Sequence, residues 1–253
     1  MSGHSKWANI KHKKEATDKK KGQMFSKIAK EIMVAVKQGG KDPNANIKLR
    51  MALTSARAAN MPRENIDRAI KKGAGELGNV VYEEIVYEGY APGGVAVIVE
   101  CLTDNRNRTI SEVRLVFDRN GGNLANSGAV AWMFQRKAHF VVEGENADEN
   151  KLMDIVLDAG ADDIESDGEM AEIWGAPEAF NDIAKALEDA GITTTEAGIV
   201  RKPENTVGVR ELTVAQQVLR LIDRLEELDD VQSVNSNADI ASEALDELEK
   251  MED

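Results

Sequence analysis

The sequence lacks the features that would indicate an extracellular, membrane or metal-binding protein. It has one cysteine, Cys101, so no disulfide can form within the chain. The three histidines, His4, His12 and His139, are far apart and show no zinc-binding spacing with that cysteine. No apolar run approaches the roughly 20 residues of a membrane-spanning helix, and the N-terminus lacks the apolar segment of a secretory signal. These absences predict a soluble, cytoplasmic protein that needs no metal or other cofactor.

Signs of an active site are equally scarce. The sequence has no recognisable pair of nucleophile and base, and no acidic cluster at metal-binding spacing. Residues 73–78 match G-x-G-x-x-G, but they follow a predicted helix and precede a predicted strand. A dinucleotide site requires the opposite order, so these glycines predict a helix end and a linker. We therefore expect neither an enzyme nor a protein with a small-molecule substrate.

Charge is plentiful, but its distribution is uneven. Residues 1–80 contain 18 Lys/Arg and 7 Asp/Glu, a net charge of +11, whereas residues 81–253 contain 14 and 38, a net charge of −24. The total of −13 hides this division. A basic segment on an acidic body is typical of a protein that binds a polyanion with one part and repels it with the rest. This pattern predicts a nucleic-acid partner and no membrane partner.

Residues 1–22 are rich in lysine and show no apolar periodicity, which predicts a basic arm that is disordered when free. Lysines at this density neutralise phosphates and release counterions. Trp7 has no core to join there, so we expect it to stack on an unpaired base. The alternative is a solvated tail that only aids solubility. The predicted nucleic-acid contacts of the arm are His4, Lys6, Trp7, Lys11, His12, Lys13, Lys14, Lys19, Lys20 and Lys21.

Three helices are predicted within residues 23–78. Apolar residues recur at helical spacing from Phe25, a second helix is expected at about 45–59, and Pro62 is well placed to open the third. The last two helices also admit a helix-turn-helix, whose DNA-facing residues would be Arg63, Glu64, Asn65 and Arg68. The alternative is a helical hairpin with solvated charges. The predicted nucleic-acid contacts of these helices are Lys27, Arg63, Arg68, Lys71 and Lys72.

Beyond these helices the pattern changes to short strands and helices. One segment has the order strand–helix–strand–strand–helix–strand, which is that of a ferredoxin-like domain, and the segments on either side complete a second domain. The sequence thus predicts an α+β fold: an N-terminal three-helix domain followed by two ferredoxin-like α+β domains, one inserted into the other. The predicted boundaries are a basic arm at 1–22, a helical domain at 23–78, a discontinuous α+β domain at 79–135 plus 204–237, an inserted α+β domain at 136–203, and an acidic, frayed tail at 238–253.

The discontinuous domain carries further predictions. Thr109 and Glu112 match a capping box at the start of a helix. Arg106 and Arg108, beside that helix start, are candidates for contact with an anion or a partner, the alternative being a capped loop with surface charges. Residues 129–134 predict a strand.

Several motifs in order resemble one protein family. Residues 3–14, GHSKWANIKHKK, closely resemble the N-terminal signature of the YebC/PmpR family. Further segments similar to family motifs are 87–90 (YEGY), 92–94 (PGG), 104–109 (DNRNRT), 121–124 (GGNL) and 221–223 (LID). The resemblance extends over essentially the whole chain. It implies a helical domain and two α+β domains, the third inserted into the second.

The resemblance also implies a role in the control of gene expression. Family members are described as cytoplasmic DNA-binding transcriptional regulators, and a mitochondrial relative as a translational activator of a cytochrome oxidase subunit. Bacterial members are linked to ribosomes, where they help translation through proline-rich stretches. We favour a translation factor that binds ribosomal RNA or the ribosome, since a flexible arm with Trp7 suits irregular RNA. The alternative is a transcriptional regulator that binds duplex DNA through the helical domain.

Overall fold

The computed structural model describes the backbone of residues 18–78 and 81–252, and the side chains of residues 21–78 and 81–248. It confirms the predicted fold class: helices come first, and two regions of mixed helix and antiparallel sheet follow. In the part of the chain that is described, no helix is both long and apolar enough to span a membrane.

The chain divides into two compact units. One combines 18–78, here called the helical domain, with 136–200, the inserted domain; the other, the split domain, combines Tyr82–Gln135 with Arg201–Asp253. The helices are α1 (Asp18–Gly39), α2 (Ile47–Ala58), α3 (Arg63–Gly73), α4 (Arg106–Arg119), α5 (Glu149–Val156), α6 (Phe180–Asp189), α7 (Leu212–Glu226) and α8 (Ser242–Glu252). The strands are β1 (Glu83–Ala91), β2 (Val95–Thr103), β3 (Asn123–Leu124), β4 (Phe134–Glu143), β5 (Ala161–Ser166), β6 (Met170–Gly175), β7 (Glu196–Pro203), β8 (Val207–Val209), β9 (Val231–Ser236) and β10 (Ala238–Ile240).

In the helical domain, α2 and α3 both pack mainly on α1, which buries Ile32 and Leu49 completely. The helix α1 begins at Asp18, inside the segment predicted as a disordered arm and before the expected start near Phe25. That prediction was wrong for residues 18–22, because lysine is a good helix former and here extends the amphipathic helix towards its N-terminus.

The split domain is built on a four-stranded sheet of order β3-β1-β2-β9. The hairpin of β1 and β2 pairs along its whole length, and its alternating residues face two different layers. Val97 and Val99 pack under α4 and α7, while Ile98, on the opposite face, is covered by Val130 and Phe134. The strand predicted at 129–134 is wrong: the segment contains a short 3₁₀ turn, and strand β4 begins only at Phe134. Its apolar residues cover the sheet face instead of extending the sheet.

The acidic tail predicted at 238–253 is folded as far as the structure describes it. Strand β10 pairs in parallel with β8, and α8 packs on α7. Ala244 and Leu245 are buried in the core of the split domain, with Leu248 packed against it. The prediction failed because apolar residues three and four positions apart form a stripe on α8 that is sufficient for packing, despite the many acidic residues between them.

The inserted domain has the ferredoxin-like strand order β5-β6-β4-β7, as predicted. Strand β6 pairs antiparallel with both β4 and β5. One face of this sheet packs on α5 and α6, where the rings of Phe140 and Phe180 stack with centroids 4.8 Å apart. The last strand, β7, ends at Pro203, and its final three residues already belong to the split domain.

Candidate nucleic-acid interface

The orientation of α3 determines which of its cations reach solvent. Ala69 is buried against α1, and Gly73 lies so close that a Cβ atom there would be 2.6 Å from the Met33 carbonyl oxygen. With that face fixed, Arg68 and Lys71 are exposed on the other side. Helical spacing therefore places two of the predicted contact residues on one outward face.

The other two cations predicted to bind nucleic acid from α3 are only partly available to a partner. Arg63 is exposed, but its Nε lies 4.0 Å from the Asp67 carboxylate, one helical turn away. Lys72 is half-buried beside the α1 contact. The exposed side of α3 also carries Glu64, so its surface is mixed and not uniformly basic.

Helix α1 also carries cations. Together with the exposed Arg68 and Lys71 of α3, they form the surface that is called here the basic face. Lys21 is exposed, whereas Lys27 is half-buried and has an interaction within the protein. Lys19 and Lys20 belong to α1, but their side chains lie outside the described part of the structure. The other arm residues predicted to bind nucleic acid also lie outside it: His4, Lys6, Trp7, Lys11, His12, Lys13 and Lys14.

A buried asparagine fixes the corner between α1 and α2. The Asn46 Nδ2 atom donates to the carbonyl oxygens of Ala35 at 2.7 Å and Gly40 at 2.9 Å. Its Oδ1 atom accepts from the Leu49 backbone N–H at 3.1 Å, which caps α2. The angle between the two helices is thus specified by a single side chain that sequence reasoning had not singled out.

Two arginines of α2 are engaged within their own unit and do not belong to the basic surface. Arg50 Nε donates to Asn181 Oδ1 on α6 at 3.2 Å. Arg57 Nη1 lies 3.3 Å from the Glu188 carboxylate, also on α6. The inserted domain therefore uses part of the positive charge of α2, and leaves α3 and α1 as the basic faces.

In the split domain, the predicted capping box is wrong. Helix α4 begins at Arg106, and Asn105 is its N-cap, accepting from the Arg108 N–H at 3.1 Å. Thr109 is buried inside the helix, where its hydroxyl lies 2.9 Å from an Asp230 carboxylate oxygen. Because Asp230 is distant in sequence, a rule based on neighbouring residues could not predict its contact with the Thr109 hydroxyl.

Asp230 is the centre of a buried polar cluster. Two further groups donate to Asp230 Oδ2: the Thr103 hydroxyl at 3.1 Å and Arg108 Nη2 at 2.6 Å. Arg108 also contacts Asp104 at 2.9 Å, and the two carboxylates raise the pKa of the Arg108 guanidinium above its ordinary value. The ion pair between Arg108 and Asp230 therefore connects α4 to the residue that directly precedes β9. Arg106 is exposed, and its contact with an anion or a partner stays a prediction.

A second buried carboxylate organises the loop after β3. Glu88 on β1 accepts backbone N–H bonds from Gly128 at 2.7 Å, Val130 at 2.7 Å and Ala131 at 2.8 Å. Burial acts to raise the pKa of Glu88, but these three donors and the charge of Arg201 outweigh it and hold the pKa below its ordinary value. Glu88 belongs to the YEGY motif, whose sequence alone does not indicate this role.

His139 and Cys101 are buried. The His139 Nε2 atom lies 3.1 Å from Glu172 Oε2, and its ring stacks on Trp174 with centroids 4.2 Å apart. The sequence had not identified either partner. Across the described residues, no three His, Cys, Asp or Glu side chains are grouped so that they could hold a metal ion.

The fold and this charge distribution define a class of protein: a basic helical domain joined to two acidic α+β domains. Comparison with models of known protein families identifies the particular family. Residues 5–76 match the model for the TACO1/YebC protein N-terminal domain, and residues 82–238 match the model for the TACO1/YebC second and third domain. The chain belongs to the TACO1/YebC family.

Individual relatives match over almost their whole length. A "probable transcriptional regulatory protein" of Treponema pallidum (strain Nichols) is 54% identical over 243 residues, covering 96% of this chain and 99% of the relative. A protein of the same name from Syntrophobacter fumaroxidans is 51% identical over 248 residues, covering 98% and 100%. The crystal structure of the conserved hypothetical protein Aq1575 from Aquifex aeolicus superposes with a TM-score of 0.81 at 47% identity, covering 89% of this chain and 93% of that one.

Proposed function

We propose that this protein regulates gene expression in the cytoplasm by binding nucleic acid, without catalysing a reaction. RNA, and the ribosome in particular, is the target we favour, which makes the protein a translation factor. The observation that carries the proposal is the net charge of +8 on the helical domain, from 14 Lys/Arg and 6 Asp/Glu, within a chain of net charge −13. The relatives' name, a regulatory protein, supports the same broad role.

The acidic domains sharpen this charge contrast. The inserted domain has 4 Lys/Arg and 17 Asp/Glu, a net charge of −13, and the split domain has 10 and 21, a net charge of −11. A polyanion is therefore attracted to one domain and repelled by the other two, which orients the protein during encounter. Such a field favours a single binding orientation over adhesion along many surfaces.

The preference for RNA over duplex DNA rests on the details of α3. Arg63 is balanced by Asp67, and Glu64 is exposed on the same helix. These carboxylates would face phosphates if α3 entered a major groove. Arg68 and Lys71, which are exposed on one outward face, suit scattered phosphate contacts better, and irregular RNA offers those. Binding of α3 to duplex DNA remains the second candidate, supported by the relatives' description as transcriptional regulators.

The buried carboxylates support a role without catalysis. Glu88 accepts three backbone N–H bonds, and Asp230 accepts from two hydroxyl groups and one guanidinium. A general base needs a lone pair directed at its substrate, whereas both of these carboxylates are directed at the protein's own donors. Their contacts connect elements of the fold.

The first test is co-sedimentation of the full chain with ribosomes from cell lysate over a series of salt concentrations. The variant Lys11→Ala/Lys13→Ala/Lys14→Ala removes cations of the arm, and Arg68→Ala/Lys71→Ala removes those of α3. The matched control, Lys151→Ala/Lys185→Ala, removes two exposed lysines from the inserted domain. We expect salt-sensitive co-sedimentation that both basic-face variants weaken and the control leaves unchanged.

The same variants distinguish the two targets. With purified ribosomal RNA, removal of each phosphate-binding cation should reduce the slope of log affinity against log salt by about 1. Absence from ribosomes together with tight binding to duplex DNA would replace the translation hypothesis with transcriptional control. Equal effects of the α3 variant and the inserted-domain control would contradict the assignment of the basic face.

A further inference from the structure

Trp132 is an exposed aromatic side chain in the split domain. Its side chain lies in the 3₁₀ turn Ala131–Met133, and the residue retains 68% of its accessible surface. Among the described large apolar residues it is the most exposed; Ile47 and Val81 follow at 59%. A tryptophan gains more than other side chains from burial, so such exposure in the isolated chain indicates a surface that a partner covers.

The ring is held firmly despite its exposure. Its indole Nε1 donates to the Ala129 carbonyl oxygen at 3.1 Å, three residues earlier. The turn itself is fixed by the three N–H bonds to Glu88, and the flanking Val130 and Phe134 are buried against the sheet. A partner would therefore meet a pre-positioned ring, and little side-chain entropy would be lost on binding.

The hydrogen bond of the indole also limits how the ring can interact. Because Nε1 already has an acceptor, what Trp132 offers to a partner is chiefly its π faces. Nearby, Asn126 and Ser127 are exposed and can donate or accept hydrogen bonds. This combination of an aromatic face and neutral polar groups fits a nucleobase, which has a π face and a polar edge.

The local charge favours the same partner. Residues 119–135, the part of the split domain that contains the turn, include no Asp or Glu, although residues 81–253 contain 38 acidic residues in all. Glu88, whose carboxylate binds the turn, is buried, and Glu204, whose backbone N–H donates to the Met133 carbonyl oxygen at 2.9 Å, accepts from Gln135 Nε2 at 2.7 Å. The segment around Trp132 therefore lacks the acidic residues that are frequent in the rest of residues 81–253, and a polyanion can approach it with less repulsion.

We propose that Trp132 stacks on an unpaired nucleobase of RNA and forms a second RNA contact, separate from the basic helical domain. This inference rests on the proposed function, since it concerns the same class of ligand. It assigns the split domain a direct part in RNA recognition: the basic face supplies affinity through phosphates, and Trp132 selects unpaired bases.

The test uses the full chain with short fluorescent RNA oligonucleotides of one sequence, single-stranded and as a duplex. Trp132→Ala should weaken binding to the single strand roughly five-fold to 100-fold, the range expected for loss of one stacked base. Trp132→Phe should retain most of the affinity, while Trp132→Leu should resemble the alanine variant. The slope of affinity against salt should stay at its wild-type value, because no phosphate contact is removed.

The outcomes separate this inference from the proposed function. If the wild-type chain and the Lys11/Lys13/Lys14 alanine variant both fail to bind any RNA, the proposed function and the stacking contact fall together. If wild type binds RNA with salt dependence and Trp132→Ala binds equally well, only the stacking contact is refuted. Equal losses on single strand and duplex, or leucine acting as well as phenylalanine, would also refute stacking. Self-association in sedimentation velocity that Trp132→Ala abolishes would assign the ring to a second copy of the chain instead.

Discussion

The helical domain and the split domain use charged residues in opposite ways. In the helical domain the α3 cations Arg68 and Lys71 are exposed to solvent, and the contact with α1 is made by Ala69 and Gly73. In the split domain the charges with the strongest contacts are inside: Asp230 and Glu88 are buried, and each carboxylate accepts three hydrogen bonds from the protein. Net charge alone therefore does not locate a binding surface, because some charges present themselves to a partner while others hold the fold together.

The largest effect on stability is expected at Asp230, in the split domain. Replacing Asp230 with alanine would leave the hydroxyls of Thr103 and Thr109 and the Arg108 guanidinium without their shared acceptor. We expect a loss of about 2–4 kcal/mol in the free energy of unfolding, measured by urea denaturation. The control is Asp118→Ala, which removes an exposed carboxylate from α4. Similar losses in both variants would show that the buried cluster has no special role.

The helical domain should be most sensitive at an uncharged position. In Gly73→Ala the new Cβ would lie 2.6 Å from the carbonyl oxygen and 2.9 Å from the Cα of Met33, so α1 and α3 must separate. We expect destabilisation by about 1–3 kcal/mol. Gly22→Ala in α1, where no described atom lies within 4 Å of the new Cβ apart from the helix's own backbone and the two neighbouring residues, should instead stabilise by about 0.5–1 kcal/mol. Thermal unfolding followed by circular dichroism measures both, and a shift of the same sign in the two variants would contradict close helix packing at Gly73.

Glu88 should make the stability of the split domain depend on pH. Its folded pKa lies below the ordinary value of 4.5, so the stability it contributes is complete above that value and is lost as the pH falls through the folded pKa. At neutral pH, Glu88→Gln should cost about 1–3 kcal/mol, because an amide cannot accept all three N–H bonds. Urea unfolding at a series of pH values should show this difference shrinking in acid. A constant difference, or an equal effect of Glu83→Gln on the exposed part of β1, would refute the role of the charge.

The elements of the fold could be predicted from apolar periodicity, because burial of one face acts over a few residues. The strands of the inserted domain and their ferredoxin-like order followed from this alone. Two of the errors arose where distant residues decide the local structure. Thr109 satisfies the local rule for a helix cap, yet its hydroxyl bonds Asp230, 121 positions away. Residues 129–134 resemble a strand, but two of their N–H groups, those of Val130 and Ala131, donate to the Glu88 carboxylate, which lies 42 positions before Val130.

The candidate site was less predictable than the fold, for the same reason. Charge counts indicated a basic surface in the first 80 residues, since composition needs no structure. They could not show that Arg50 and Arg57 turn towards α6, or that Arg63 is balanced by Asp67. Trp132 also escaped notice, because an apolar hexapeptide predicts burial, whereas its exposure depends on how the turn is fixed.

The smallest effect on stability is expected on the exposed face of α3. Arg68→Ala/Lys71→Ala should change the free energy of unfolding by no more than about 0.5 kcal/mol, as for surface positions in general, while weakening RNA binding. Arg201→Ala is the matched removal of a cation from the split domain. It leaves Glu100, which now accepts from Arg201 Nε and the Ser233 hydroxyl at 2.8 Å each, without its cation. Urea denaturation should rank Arg201→Ala as the more destabilising. The reverse order would mean that the cations of α3 maintain the helical domain and are not displayed for a partner.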